Sequence, residues 1–181
     1  FKIASKLLKM NGRFIHVSTD FVFDGKKSSP YKIEDKVSPV NEYGKSKSNG
    51  ERLISKLNNT TIVRTSWLYS PFGKNFCLTM LRLHKEFSEK NLPLKVVCDQ
   101  FSCPTSTFTL SKLCWQLIHK EKFLKQNEKI LHCSDSGIAS WYDFAFAIGE
   151  IGEKLQLIEK SAEVIPIKTV DFKSKALRPS F

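Results

Sequence analysis

Short apolar runs alternate with longer helical segments along most of the chain, and this order limits the possible folds more than any other sequence feature. The apolar runs predict strands over residues 14–17, 60–64, 94–97, 129–132 and 164–167. Strands that alternate with helices predict an α/β fold built on a doubly wound parallel sheet, with right-handed crossovers and helices on both faces.

The helical segments carry apolar residues three or four positions apart. They cover residues 1–10, 43–57, 75–90, 106–124 and 140–155. Asn11-Gly12 is a typical helix stop, Pro39 breaks the loop before the second helix, and Ser140 is a favourable N-cap for the last.

Composition is that of an ordinary globular chain. With 181 residues, 41% of them hydrophobic, the chain suits one compact domain or slightly more. Its apolar runs are shorter than the roughly 18 residues of a membrane helix, so we expect no membrane contact. Five cysteines form no C-x-x-C pair, which predicts reduced thiols in a cytoplasmic protein rather than disulfides or a zinc site. The four histidines show no metal-ligand spacing, and we predict no metal site.

The net charge of +11 allows two explanations. Lysines clustered with aromatic residues on one element would indicate nucleic-acid binding, but the lysines are spread along the chain. A positive field also attracts anionic small molecules such as a nucleotide diphosphate. We therefore expect an anionic substrate and no nucleic-acid partner.

Tyr43 and Lys47 are four residues apart at the start of the second predicted helix. This spacing places both side chains on one helical face, one turn apart. An ammonium group beside a phenol favours the phenolate, so the phenol can give or take a proton at a carbonyl or carbinol. Thr19, at the end of the first strand, is placed to donate a hydrogen bond to the same oxygen. The pair alone is a weak motif, since an exposed tyrosine beside a solvated lysine also satisfies it.

Polar or aromatic residues directly follow three of the predicted strands. Thr19 follows the first strand, Trp67 the second and Asp99-Gln100 the third. Ligands of open parallel sheets gather outside the carboxyl ends of the strands. We therefore expect these residues to open on one crevice.

Longer motifs surround these positions. The first group comprises Ser18-Thr19-Asp20-Phe21-Val22-Phe23-Asp24-Gly25, then Pro39-x-Asn41-x-Tyr43-Gly44-x-Ser46-Lys47, then Gly50-Glu51. The second comprises Arg64-Thr65-Ser66-Trp67-Leu68-Tyr69, Asp99-Gln100 with Pro104-Thr105, and Ser140-Trp141-Tyr142-Asp143-Phe144-Ala145. The first group resembles the extended short-chain dehydrogenase/reductase superfamily, and the second resembles, within it, the dTDP-4-dehydrorhamnose reductase family. The likeness covers essentially all 181 residues.

The resemblance implies a partial Rossmann-like sheet with a small C-terminal substrate-binding part. It also implies reduction of the C4 ketone of a dTDP-sugar by hydride from NADPH or NADH. Tyr43 would be the proton donor, Lys47 would assist it and hold the nicotinamide ribose, and Thr19 would bond the carbonyl oxygen. Ser18 and Thr65 would join Tyr43 and Lys47 in the cofactor site. The implied substrate-binding positions are Phe21, Trp67, Asn75, Pro104 and Thr105.

The chain departs from the family pattern in three respects. Phe21 stands where the family usually has tyrosine, and Phe101-Ser102-Cys103 replaces a smaller segment that usually contains glycine. No Gly-rich dinucleotide fingerprint occurs in the chain. We therefore expect an internal or C-terminal fragment that does not hold the cofactor alone. Residues 1–67 would belong to the dinucleotide-binding domain and residues 68–181 to the remaining sheet and the substrate-binding region, without a clean separation.

Several of these positions also allow a structural interpretation. Trp67 can be a core aromatic residue, Asn75 a helix N-cap and Arg64 a partner in an ion pair. We interpret Asp20 and Asp24 as turn or cap residues rather than catalytic acids.

Two alternatives to the reductase function remain for the whole protein. One is another nucleotide-sugar reductase or epimerase of the same superfamily. The other is a regulatory subunit that acts by binding an enzyme, like the beta subunit of eukaryotic methionine adenosyltransferase. The resemblance also leaves a homo-oligomer open.

Overall fold

A computed structural model of the chain describes residues 1–119, 129–172 and 177–180. Its α-helices in these ranges are α1 (Lys2–Lys9), α2 (Glu42–Ile54), α3 (Phe76–Glu89), α4 (Thr107–His119) and α5 (Trp141–Lys154). Its strands are β1 (Phe14–Thr19), β2 (Thr60–Thr65), β3 (Leu68–Tyr69), β4 (Leu94–Val97), β5 (Phe101–Ser102), β6 (Thr105–Ser106), β7 (Ile130–Cys133), β8 (Ala139–Ser140) and β9 (Val164–Ile167). Short 3-10 helices follow β1 and β9, at Asp20–Val22 and Thr169–Asp171.

Every predicted strand and helix is present, with small shifts at the ends. Residues 120–124, the end of the fourth predicted helix, lie outside the described residues. The sequence did not predict β3, β5, β6 or β8. Each of these strands is two residues long, too short to show alternation of apolar and polar residues.

The main sheet has three parallel strands in the order β1-β2-β7. Thr19 of β1 pairs with Thr65 of β2, which pairs with Cys133 of β7, so the carboxyl ends of the three strands meet at one edge. The predicted parallel α/β fold is confirmed. The main sheet contains strands from both predicted parts of the chain, since β1 and β2 lie within residues 1–67 and β7 lies within residues 68–181. The boundary between these parts stays a prediction.

Helices cover both faces of the main sheet. Ile62 of β2 is fully buried against Ala4 of α1 and Ile54 of α2. Its neighbour Val63 is fully buried against Leu110 and Leu117 of α4. Since successive strand residues point to opposite faces, α1 and α2 lie on one face and α4 on the other.

The remaining strands form separate pairs: β3 with β6 and β4 with β9 in parallel, and β5 with β8 antiparallel. The expectation that Asp99-Gln100 follows a strand of the main sheet is therefore wrong, since it follows β4. α3 and α5 pack on the β4–β9 pair, with Leu94, Val96 and Ile148 in the shared core. In the described part of the chain, no helix has the length and apolar character needed to cross a membrane.

Candidate active site

A cavity of about 520 Å³ lies at the carboxyl edge of the main sheet. Asp20 after β1, Thr65 at the end of β2 and Cys133 at the end of β7 all line it, together with Phe101 and Ser102 of β5. A cavity is therefore present at the expected edge, but Thr19, Trp67 and Asp99-Gln100, which were expected to open on it, do not line it. The segment after β4 contributes to it through β5 rather than through Asp99-Gln100.

Thr19 and Asp20 form a hydrogen-bonded group at the end of β1. Oγ1 of Thr19 accepts from the backbone N–H of Phe21 at 3.2 Å, which makes Thr19 the N-cap of the 3-10 helix. The same hydroxyl donates to Oδ1 of Asp20 at 2.9 Å, and Ser102 Oγ donates to Oδ2 at 3.0 Å. Asp20 is the first residue of the 3-10 helix, as its predicted turn role requires, and its carboxyl group also joins β1 to β5 on the cavity wall.

The carboxyl group of Asp20 has a shifted pKa. Burial raises the pKa above its ordinary value, because removal from water disfavours the charged form. Hydrogen bonds from Thr19, from Ser102 and from the backbone N–H groups of Asp20 and Phe21 lower the pKa without cancelling the effect of burial. The neutral acid is thus favoured more strongly here than on an open surface.

α2 brings Tyr43 and Lys47 next to β1. Nζ of Lys47 donates to the backbone carbonyl of Val17 at 2.6 Å, which ties the helix to the strand. Tyr43 is 55% exposed, and its ring meets the ring of Phe21 edge-on, with centroids 5.9 Å apart. The predicted pair therefore lies beside the strand that ends at Thr19. Its catalytic role stays a prediction.

The position of α2 depends on two residues at its start. Asn41 caps the helix by accepting the backbone N–H of Gly44 at 2.7 Å. A Cβ atom at Gly44 would overlap the carbonyl oxygen of Phe21. Glycine at this position therefore allows the helix to approach the 3-10 helix closely enough for Tyr43 to contact Phe21.

Two buried hydroxyl groups at the sheet edge lack a partner. Among the described residues, no hydrogen bond is made by Ser18 Oγ of β1 or by Thr65 Oγ1 of β2. Buried polar atoms are nearly always hydrogen-bonded in native proteins, to protein, water or ligand. Both hydroxyl oxygens are enclosed by protein, and of the two residues Thr65 lines the cavity.

Arg64 forms a buried ion pair beneath the cavity. Its Nε and Nη2 donate to both carboxylate oxygens of Glu51, at 2.8–3.2 Å, and both side chains are almost fully buried. The guanidinium group also lies 5.0 Å from the ring centroid of Phe23, and Nη1 lies 3.4 Å from Nε2 of His132. The structural interpretation of Arg64 is confirmed. Burial and the positive charge of Arg64 lower the pKa of His132.

Trp67 is half-buried and packs against protein, and it does not line the cavity. Its indole stacks on that of Trp141, with centroids 3.4 Å apart, and Trp141 Nε1 donates to Gln100 Oε1 at 3.1 Å. The backbone of Trp67 has a φ of 37°, in the left-handed region that non-glycine residues rarely adopt. One indole face of Trp67 is thus occupied by protein, and its substrate-stacking role stays a prediction.

The remaining predicted substrate positions serve the fold. Asn75 caps α3 by accepting the N–H of Leu78, and its amide donates to the carbonyl of Ser70. The N-cap interpretation of Asn75 is confirmed. Thr105 is fully buried and its hydroxyl donates to the carbonyl of Cys103, so Cys103 rather than Pro104 or Thr105 lines the cavity. Substrate contacts of Asn75, Pro104 and Thr105 stay predictions.

The loop after the 3-10 helix forms a cavity wall that the sequence did not reveal. Tyr31 stacks on Phe23 with centroids 4.3 Å apart, and its hydroxyl donates to Asp24 at 2.7 Å. Asp24 also accepts the N–H of Lys26, which confirms its predicted turn role. In the sequence, the only hint of this wall is that an aromatic residue, Tyr31, follows Asp24 in the same loop. The fold is needed to show that Tyr31 lines the cavity.

Comparisons with known proteins agree with this geometry. The model of the RmlD substrate binding domain family matches residues 1–181. The chain is 38% identical over 181 residues to the dTDP-4-dehydrorhamnose reductase of Aggregatibacter actinomycetemcomitans, covering 98% of the chain and 60% of that protein. A crystal structure of a dTDP-4-dehydrorhamnose reductase from Clostridium acetobutylicum superposes with a TM-score of 0.84 at 37% identity, covering 98% of this chain and 58% of the other.

A second solved structure includes a cofactor. The dTDP-4-dehydrorhamnose reductase of Bacillus anthracis, in complex with NADP, superposes with a TM-score of 0.84 at 32% identity, over 98% of this chain and 58% of that chain. The chain thus spans about three fifths of the length of the relatives that it matches.

The parallel sheet and the helix beside β1 that bears Tyr43 and Lys47 define a Rossmann-like domain of the short-chain dehydrogenase/reductase type. Within this class, the match over residues 1–181 fixes the family. The chain belongs to the RmlD substrate-binding domain family.

Proposed function

We propose that the full-length protein reduces the C4 ketone of dTDP-4-dehydro-L-rhamnose to dTDP-L-rhamnose with NADPH or NADH. In this proposal the chain supplies the proton donor and most of the sugar-nucleotide site. The observation that carries the proposal is the placement of Tyr43 and Lys47 beside the end of β1, where Lys47 donates to Val17 and Tyr43 contacts Phe21. The residue between Thr19 and Phe21, Asp20, lines the cavity at the sheet edge. Membership of the family and the names of its relatives supply the substrate.

The residues at this edge suit a nicotinamide nucleotide. Ser18 and Thr65 offer buried hydroxyl groups that lack partners among the described residues. Lys47 donates to one carbonyl and has two further N–H bonds, and the Tyr43 ring is exposed. These four residues would hold the ribose and nicotinamide parts of the cofactor. When bound, the cofactor supplies the hydride.

In this reaction, the residues of this chain would carry out the proton transfer to the substrate oxygen. The Tyr43 hydroxyl donates its proton to the substrate oxygen as negative charge develops there. Lys47 places a positive charge one helical turn away, which stabilises the phenolate that Tyr43 becomes. Thr19 adds a hydrogen bond to the same oxygen, and such a bond is strongest in the charged transition state.

The cavity suits a sugar nucleotide on its chemistry. Phe101 and Ile138, both exposed, offer an aromatic ring and an aliphatic surface to a base or a deoxysugar. Asp20 and Ser102 provide a few polar contacts within this apolar surface. Phe21, Trp67, Asn75, Pro104 and Thr105 remain the family positions assigned to the substrate. The net charge of +11 would favour the approach of the diphosphate.

All five cysteines are free thiols, which supports a cytoplasmic location for this reaction. A homo-oligomer remains a prediction without structural support.

The test is a reductase assay on full-length protein, with NADPH oxidation followed for wild type and Tyr43→Phe. Loss of the general acid should reduce turnover by about a hundredfold or more. Tyr142→Phe, which removes a hydroxyl group on α5 away from the cavity, is the matched control and should retain full turnover. Equal turnover of wild type and Tyr43→Phe would exclude the catalytic assignment. An inactive wild type that alters a co-purified enzyme would instead favour the regulatory-subunit function.

A further inference from the structure

The side chain of Asn41 makes two hydrogen bonds, one as acceptor and one as donor. Its Oδ1 accepts the backbone N–H of Gly44 at 2.7 Å, which caps α2. Its Nδ2 donates to the backbone carbonyl of Leu177 at 2.9 Å, 136 positions further along the chain. A side-chain amide carries an acceptor and a donor on one planar group, so both bonds can form at once. Asn41 therefore links the start of α2 to the C-terminal segment of residues 177–180.

The other end of the 177–180 segment is held at the cavity wall. The backbone N–H of Phe101 in β5 donates to the carbonyl of Ser180 at 2.8 Å, and Phe101 lines the cavity. Pro179 has a fixed φ and disfavours a helical conformation at the residue before it, which restricts the segment to extended conformations. Three residue steps cover at most about 11 Å, so the segment joins the start of α2 to β5 across a short gap.

Tyr43 lies in the first turn of α2, the part of a helix that frays most easily. One turn further along, Lys47 is fixed to β1 by its bond to the carbonyl of Val17. Asn41 fixes the beginning of the same turn, through residues 177–180, to the wall of the cavity. The helix turn that bears Tyr43 is thus tied at one end to the main sheet and at the other to β5.

We propose that Asn41 is a positioning residue, which holds the Tyr43 hydroxyl at the proper distance from the substrate by tying the start of α2 to residues 177–180. The proposal rests on the proposed reductase function, in which Tyr43 is the proton donor. Proton transfer requires the phenol oxygen within hydrogen-bond reach of the ketone oxygen, and a displacement of about 1 Å can lower a rate by about a hundredfold. Asn41 exchanges no proton itself and acts through the placement of Tyr43.

An ordinary cap role would use only half of the Asn41 side chain. Capping needs the acceptor oxygen, and aspartate and serine supply one about as well as asparagine does. Neither of these residues has an N–H donor at the position of Nδ2. Replacement of Asn41 by either residue therefore keeps the cap of α2 and removes the bond to Leu177.

The test compares Asn41→Ser and Asn41→Asp with wild type in full-length protein, with kcat, KM for the ketone at saturating NADPH, and Tm. Because the cap is kept, Tm should change little in both variants. Because the bond to Leu177 is lost, kcat should fall by about tenfold or more in both, with a much smaller change in KM.

Three results of this comparison would overturn the proposal. Wild-type kcat in Asn41→Ser would show that the bond to Leu177 has no part in turnover. A loss in Asn41→Asp alone would assign the effect to the added negative charge near Tyr43. A large fall in Tm in both variants would assign Asn41 to helix capping.

Glu42→Gln is the matched control. Glu42 follows Asn41 in the same turn, pairs with Lys45 and is 88% exposed. The variant alters a charge beside Tyr43 and leaves both hydrogen bonds of Asn41 in place, so kcat should be unchanged. A loss as large as that of Asn41→Ser would overturn the proposal, because any change in this turn would then suffice.

Amide hydrogen exchange tests the link without turnover. Release of residues 177–180 at one end should make the Phe101 amide, which donates to Ser180, exchange about fivefold faster or more in Asn41→Ser than in wild type. The Gly44 amide, which remains capped, should exchange as in wild type. Equal exchange of the Phe101 amide in the two proteins would overturn the proposal whether or not the protein is a reductase. An inactive wild type with the expected exchange pattern would refute the reductase function alone, and the link between α2 and β5 would stand.

Discussion

The buried guanidinium group of Arg64 has its charge balanced by the carboxylate of Glu51. The pair is bidentate and both side chains are almost fully buried. Removal of Glu51 leaves an uncompensated charge in the interior, so Glu51→Ala should lower the free energy of unfolding by about 3–5 kcal/mol. Urea denaturation of the purified protein measures this change.

A surface ion pair of the same helix serves as the control. Glu42 pairs with Lys45 in α2 but is 88% exposed. Glu42→Ala should therefore cost less than about 1 kcal/mol, since exposed pairs contribute little. Equal losses in the two variants would contradict the assignment of Arg64–Glu51 as the main buried ion pair of α2 and β2.

Side-chain partners at this scale were predictable from sequence only where they are local. Asn75 as a cap and Asp24 as a turn residue follow from residue type and from neighbours within three positions. The contact of Asp20 with Ser102 joins residues 82 positions apart through a two-residue strand. Because no periodicity marks that strand, the sequence carried no sign that Ser102 meets the end of β1.

At the scale of elements, the approach of α2 to the 3-10 helix depends on Gly44. A methyl group there would overlap the Phe21 carbonyl oxygen, which is backbone and cannot move aside freely. Gly44→Ala should therefore lower the free energy of unfolding by about 1–3 kcal/mol, as overpacking does. Thermal denaturation detects the change as a lower Tm.

Gly50, in the same helix, is the matched control. A methyl group there would lie 3.8 Å from the His16 ring, an ordinary contact. Gly50→Ala should raise the free energy of unfolding by about 0.5–1 kcal/mol, because alanine has the higher helix propensity. A destabilising Gly50→Ala, or a neutral Gly44→Ala, would argue against the close packing of the start of α2 as the cause.

The long elements were predictable because their burial is one-sided or complete. The apolar run of β2 reflects a strand that is buried on both faces, and the amphipathic spacing of α3 reflects a helix that is buried on one. Such patterns can be read from the sequence. How strands group into sheets was not encoded in this way. β4 pairs with β9 outside the main sheet, although its pattern resembles that of β2.

At the scale of the whole molecule, two partly buried histidines make stability depend on pH. Burial lowers the pKa of His16 and of His132, with Lys47 and Arg64 acting in the same direction. The unfolded chain takes up protons near pH 6.5 while the folded chain resists them. Their contribution to stability is thus fully present above about pH 6.5 and is lost as the pH falls toward the lowered pKa values.

A double variant, His16→Gln with His132→Gln, isolates the contribution of these two histidines to the pH dependence of stability. Between about pH 7.5 and 5.5, wild type should lose more free energy of unfolding than the double variant does. The comparison cancels other groups, including Asp20, whose raised pKa acts in the opposite sense as the pH falls. Identical pH profiles for the two proteins would show that the folded state does not resist protonation at these histidines.

The stacked pair of Trp67 and Trp141 gives the molecule an optical property. Two indoles with centroids 3.4 Å apart and planes 11° from parallel are close enough for their electronic transitions to couple. The coupled pair would contribute a signed couplet to the circular dichroism spectrum, to which Trp115, stacked on His119, would not contribute in the same way. Because Trp67 follows the strand that ends at the cavity, a change in that couplet on adding a sugar nucleotide would report occupancy without any label.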